Sequence, residues 1–200
     1  MLEIRITENS STRVKKALFG DNSGNIKTFA IITPENPMGV QLSVEENNKL
    51  TVQFKEDLRR RGISYTKISG SYGNKEKSYL LYNVTIKEVT DFAKKYKQES
   101  FFFGRNEMPS EIEYWQTFDD GDTYKLIETK KGVTTLKDAE DYFSRRGDFQ
   151  FRIDMKVFED IKNFNESVVD ESELLKSLEE DRTPFSRMIH RKASLGIIHK

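Results

Sequence analysis

From Ile26 to Gly104 the apolar positions alternate between strand and helix spacing in the order β-α-β-β-α-β. Ile26–Thr33 is a β-branched and aromatic run with the character of a buried strand, closed by Pro34 and Pro37. Ser43-Val-Glu-Glu46 fits a capping box, and the helix it opens carries Leu50, Phe54 and Leu58 four apart and stops at Gly62. Ile63–Gly70 and Lys77–Val84 read as two strands joined by Ser71-Tyr-Gly-Asn-Lys-Glu76. A second box, Thr85-Ile-Lys-Glu88, opens a helix with Ile86, Val89, Phe92, Ala93 and Tyr96 on one face, and Ser100–Gly104 is a buried fourth strand.

This order predicts an α+β fold: a ferredoxin-like split βαβ core, an antiparallel four-stranded sheet with two helices on one face. Ahead of it, residues 1–25 read as an N-terminal helix (8–20, capped by Ser10 or Ser11) and a linker. After it, Glu111–Phe118 and Thr123–Thr129 flank Asp119-Asp-Gly-Asp122 and predict an added β-hairpin, so the core spans 26–134. Residues 135–181 read as a helical elaboration, with helices at Leu136–Arg146 and Lys156–Phe164, a short strand at Phe149–Ile153 and an acidic helix near the end. Residues 182–200 form a basic tail.

In the predicted topology one end of the sheet collects the end of strand one, the start of helix one, the hairpin and the junction before strand four. Thr33, Glu35, Asn36, Asn47, Tyr72, Asn74, Glu76, Ser78, Gln98, Glu99 and Ser100 gather there. Asn47 lies on the apolar stripe of its helix, three residues before Leu50, and an inward amide must find partners. Thr33, Asn36, Asn47, Tyr72, Glu76, Ser78, Gln98 and Ser100 are therefore the candidate ligand-binding residues. The alternative is that they satisfy loop backbone groups, as polar residues at strand ends commonly do.

The succession Thr33-Pro-Glu-Asn-Pro37, Glu46-Asn47, Glu76-Lys-Ser78 and Gln98-Glu-Ser100 resembles an uncharacterised bacterial and phage domain family of unknown function. Its members are similar in the Thr-x-x-Asn-Pro end of the first strand, the Asn in the first helix, the Glu after the hairpin and the Gln before the last strand. The resemblance covers residues 26–104, about two fifths of the chain. It implies a shared site and a bacterial or phage origin, and brings no activity.

Composition narrows the chemistry. Hydrophobic residues are 36% of the 200 and charged residues 33%, and fourteen Phe with eight Tyr supply enough bulk for a globular core. No Cys occurs, which removes disulfides and thiolate metal sites, and no apolar run approaches a membrane span, so a cytoplasmic protein without membrane contact is expected. Net charge is zero, but residues 1–104 hold 17 Lys and Arg against 12 Asp and Glu, and residues 105–200 hold 16 against 21. In the tail, Arg182, Arg187, Arg191 and Lys192 are the candidate nucleic-acid contacts.

Catalytic signatures fail one by one. The only histidines, His190 and His199, sit in the tail, which excludes a His-based triad in the folded body, and no metal or cofactor site is expected. Asp119–Asp122 lacks the spacing and terminal Glu of a calcium loop. Gly70-Ser-Tyr-Gly73 with Lys75 lacks the spacing of a phosphate loop. Glu76 and Glu99 as an acid/base pair have no obvious apolar pocket, and Arg59–Arg61 suits the negative end of its helix. Tyr65, Tyr79, Tyr82 and Phe101–Phe103 invite comparison with sheets that stack RNA bases, but core packing explains them. The expected function is a non-enzymatic binding or accessory protein that recognises a protein or a nucleic acid. The alternative is a small enzyme or nucleotide-ligand binder using the polar end as a pocket.

Overall fold

The computed structural model describes residues 10–20, 25–72, 74–117, 123–136, 142–146, 149–153 and 155. Within them lie three α-helices, α1 (Ser10–Phe19), α2 (Val44–Arg60) and α3 (Ile86–Lys95). The strands are β1 (Thr28–Ile32), β2 (Tyr65–Tyr72), β3 (Asn74–Tyr82), β4 (Ser100–Arg105), β5 (Glu111–Thr117), β6 (Tyr124–Lys131), β7 (Thr134–Leu136), β8 (Tyr142–Arg146) and β9 (Phe149–Arg152). They form one nine-stranded sheet in the order β6-β5-β4-β1-β3-β2-β8-β9-β7, with antiparallel pairing throughout. The fold is α+β, as the periodicity predicts.

α2 and α3 begin where the sequence places their caps. Ser43 Oγ accepts from the Glu46 amide at 3.2 Å while Glu46 accepts from the Ser43 amide at 3.0 Å. Thr85 and Glu88 repeat the exchange at 3.2 and 2.8 Å. Each box satisfies two amides that a helix start otherwise leaves bare. α2 and α3 then bury Phe54, Leu58, Val89, Phe92 and Ala93 against Ala30, Ile32, Tyr79, Leu81, Phe101 and Phe103 of the sheet.

The opposite face is also covered. Phe29, Ile31, Leu80, Tyr82 and Phe102 pack with Val14, Ala17 and Leu18 of α1. This is why β1 and β4 are apolar at consecutive positions rather than alternating: each side chain meets helix on one face or the other. The aromatic side chains compared above with a base-stacking sheet are largely core, with Tyr79, Tyr82, Phe101, Phe102 and Phe103 buried.

Two expectations need adjustment, and others lie partly outside the described residues. The β2–β3 ladder runs on from Tyr65↔Leu81 to Tyr72↔Asn74, so most of the predicted six-residue connection is strand, its backbone groups satisfied by continuing the ladder. The β5–β6 hairpin forms as predicted on the β4 side, with a register shift at Tyr114/Trp115, while its Asp119–Asp122 turn lies outside the described residues. Of the helix predicted at Leu136–Arg146, the described residues are strand: Leu136 ends β7, and Tyr142–Arg146 is β8, paired with β2 from Ser69↔Arg145 to Tyr72↔Tyr142, while residues 137–141 lie outside the described residues. Without β8, β2 would be an open edge with unpaired backbone groups, and that non-local demand overrides a helical reading of the segment. The helix predicted at Lys156–Phe164, the acidic helix and the basic tail with Arg182, Arg187, Arg191 and Lys192 lie outside the described residues. No described helix is long and apolar enough to cross a membrane.

Candidate functional site

β1 delivers Thr33 and the loop that follows to the start of α2. Thr33 Oγ1 donates to the Lys77 carbonyl at 3.1 Å and accepts from the Glu35 amide at 3.0 Å, tying the strand end to β3. The buried Glu35 carboxylate accepts from the Lys77 amide at 2.9 Å and from Thr51 Oγ1 at 3.3 Å, and pairs with Lys77 Nζ at 3.2 Å. A buried carboxylate needs such partners to remain charged.

Asn36 is the hub of the loop. It sits in the left-handed region (φ 52°, ψ 62°), a conformation Asn tolerates better than most residues. Its amide donates to Asn47 Oδ1 at 2.9 Å, its Oδ1 accepts from Asn47 Nδ2 at 2.9 Å and from the Leu42 amide at 3.1 Å, and its Nδ2 donates to Glu76 Oε1 at 2.8 Å. Asn47 Nδ2 also reaches the Leu42 carbonyl at 3.3 Å. From the other side, Gln98 Nε2 donates to the carbonyls of Glu35 and Tyr96, both at 3.1 Å, and the Met38 amide donates to the Lys97 carbonyl at 2.7 Å. Three of the four described non-glycine residues at positive φ, Asn36, Met38 and Lys97, cluster here. Such backbone persists only where its surroundings hold it.

Thus Thr33, Asn36, Asn47, Glu76 and Gln98 are brought together at one end of the sheet. Ser78 is buried within β3 opposite Ile68, and Ser100 is half-buried at the start of β4, bonded to the Tyr114 hydroxyl. Tyr72 ends β2, and its side chain lies outside the described residues. Residues 32–100, spanning this whole network, match the family described as protein of unknown function (DUF3293). A comparison with curated proteins found no match. The matched segment begins on the last residue of β1 and ends on the first of β4, so α1 and the strands from β5 onward lie outside it.

Sequence reasoning missed two partners of the network, Thr51 and Lys77. Thr51 carried a signal: it stands four residues after Asn47, one turn along the same buried stripe. Lys77 carried none, because its role depends on strand register. A second missed group is Asp57, buried on α2 and accepting from Tyr96 Oη at 2.5 Å, from Lys95 Nζ and from the Arg60 guanidinium. Burial pushes the Asp57 carboxyl up, but these three donors outweigh it and hold it at about 2. Burial and the adjacent Asp57 push the Tyr96 hydroxyl well above its ordinary range.

Chemically, the network leaves little to offer a ligand. Asn36, Asn47 and Gln98 are buried, and their side-chain amides bond to one another, to Glu76 or to loop carbonyls. Arg59 pairs with Glu56 at 2.6 Å, Arg60 with Asp57, and Arg61 lies 4.6 Å over the Phe92 ring, so each has a partner on its own or the adjacent helix. Among the described residues, no group of three or more His, Cys, Asp or Glu could hold a metal ion.

Proposed function

We propose that this protein is a non-enzymatic binding module whose recognition element is the loop over residues 37–44, held in shape by the polar network beneath it. The carrying observation is the division of labour at this end of the sheet. The buried Asn36 and Asn47 side chains are engaged with the loop backbone and Glu35 with the Lys77 amide of β3, while Val40 and Val44 remain 42% and 76% exposed. Apolar side chains on a conformationally fixed loop lose little entropy when a partner covers them. Loops held by a rigid scaffold are common recognition surfaces. Of the two partner classes, a protein suits this surface better than a nucleic acid, because Val40 and Val44 offer apolar contact and no phosphate donor.

In this reading the scaffold is a ferredoxin-like split βαβ unit. Its support is the central strand order β4-β1-β3-β2 with α2 and α3 on one face. The loop grows from the first crossover, the connection from β1 to α2.

The test pairs two perturbations. A Val40→Asp/Val44→Asp variant should fold with an unchanged thermal transition and lose a partner that the wild-type chain retains in affinity capture. Thermal stability should be indifferent to ATP, GTP, NAD and magnesium. Stabilisation by one of these nucleotides that Glu76→Ala removes without unfolding the chain would overturn the reading in favour of a ligand pocket, since saturating ligand adds about 2.7 kcal/mol at 100 times its dissociation constant.

A further inference from the structure

The solvent-facing side of α2 carries an ordered row of side chains that no other described element covers. Glu45, Lys49, Val52, Glu56 and Arg59 are all exposed and follow one another at spacings of four, three, four and three, which places them along a single straight seam. Val52 stands at its centre, 68% exposed. On either side lies an acid–base couple in the same order: Glu45 with Lys49 at 3.1 Å, and Glu56 with Arg59 at 2.6 Å. Read along the helix, the seam is acid, base, valine, acid, base.

That order is complementary to itself when reversed. If a second α2 lies antiparallel across the first on a two-fold axis through Val52, Glu45 faces Arg59 of the other copy, Lys49 faces Glu56, and Val52 meets Val52. A parallel arrangement would set like charges against each other at every charged position. The four-three spacing is that of helices crossing at a shallow angle, the packing of two-helix seams and bundles.

We propose that α2 is a self-association surface: a second copy of this chain docks on it antiparallel about Val52, with two Glu45–Arg59 and two Lys49–Glu56 contacts across the axis. One short helix seam buries less than the roughly 800 Å² per partner of a standard interface, so the dimer is weak and salt-sensitive. It is independent of the loop over residues 37–44, which recognises a different partner.

Sedimentation equilibrium of the full chain between about 1 μM and 1 mM reads the association directly. The wild type should pass from monomer to dimer within that window. Glu45→Lys alone and Arg59→Glu alone should each weaken it at least about tenfold by turning both symmetric contacts repulsive. The Glu45→Lys/Arg59→Glu double variant should recover most of the loss, and Val52→Asp should leave the chain monomeric. Each variant's thermal transition verifies that α2 is still folded. A chain that stays monomeric throughout, a dimer indifferent to the single reversals, or a double variant no better than the singles overturns the proposal.

Discussion

Asn47 is the residue on which the loop depends most. Its side chain joins the Asn36 amide, the Asn36 carboxamide and the Leu42 carbonyl, and all three contacts are shielded from water to some degree. Asn47→Ala strands the buried Asn36 amide without an acceptor, and chemical denaturation should show a loss of about 2–3 kcal/mol. Asp57 gives a prediction in pH. Its carboxyl stands at about 2 in the folded chain against 3.8 as a free side chain, so the folded state binds its proton less tightly than the unfolded state. The stabilisation is therefore fully present above about pH 4 and lost as pH falls toward 2. With partially exposed Lys95 and Arg60 as partners, it should amount to about 1–2 kcal/mol, and Asp57→Asn should flatten that part of the stability–pH curve. The inward position of Asn47 was legible from its spacing to Leu50; Asp57 was not, because two of its three partners, Lys95 and Tyr96, arrive from the end of α3, 38 and 39 residues away.

At the scale of elements, β1 and β4 show how closely the sheet is fitted. Phe29 lies opposite Gly104, and a Cβ at Gly104 would come 2.1 Å from the Phe29 ring. Gly104→Ala should cost about 2–3 kcal/mol in denaturant unfolding, and adding Phe29→Leu should return part of it by vacating the ring. The helices were readable because their signals are local: Ser43 with Glu46, and Thr85 with Glu88, declare their starts within four residues. β8 was not readable, because Tyr142–Arg146 becomes strand through pairing with β2, some seventy positions earlier. The same limit hid the second cover of the sheet. Val14, Ala17 and Leu18 marked α1 as amphipathic, but only the consecutive apolar positions of β1 and β4 hinted that two faces needed covering. Leu18→Ala, at a fully buried position, should therefore destabilise the whole sheet by about 2–5 kcal/mol rather than release a peripheral helix.

For the molecule as a whole, the polar end and the exposed loop are two parts of one device. The central strands pack with α1 on one face and with α2 and α3 on the other, and the candidate residues at the sheet's end turn their hydrogen bonds inward. Surface presentation by the loop then becomes the reading that uses the observed geometry most economically. The most direct measurement is residue-resolved amide hydrogen exchange in the wild type and in Asn47→Ala. The Asn36, Met38 and Leu42 amides, each given a defined acceptor in the network, should exchange slowly in the wild type and become fast in the variant, while Ile31 and Leu80 in the sheet stay protected. Fast exchange at Asn36 and Leu42 in the wild type, or a variant in which loop and sheet amides lose protection together, would contradict the account.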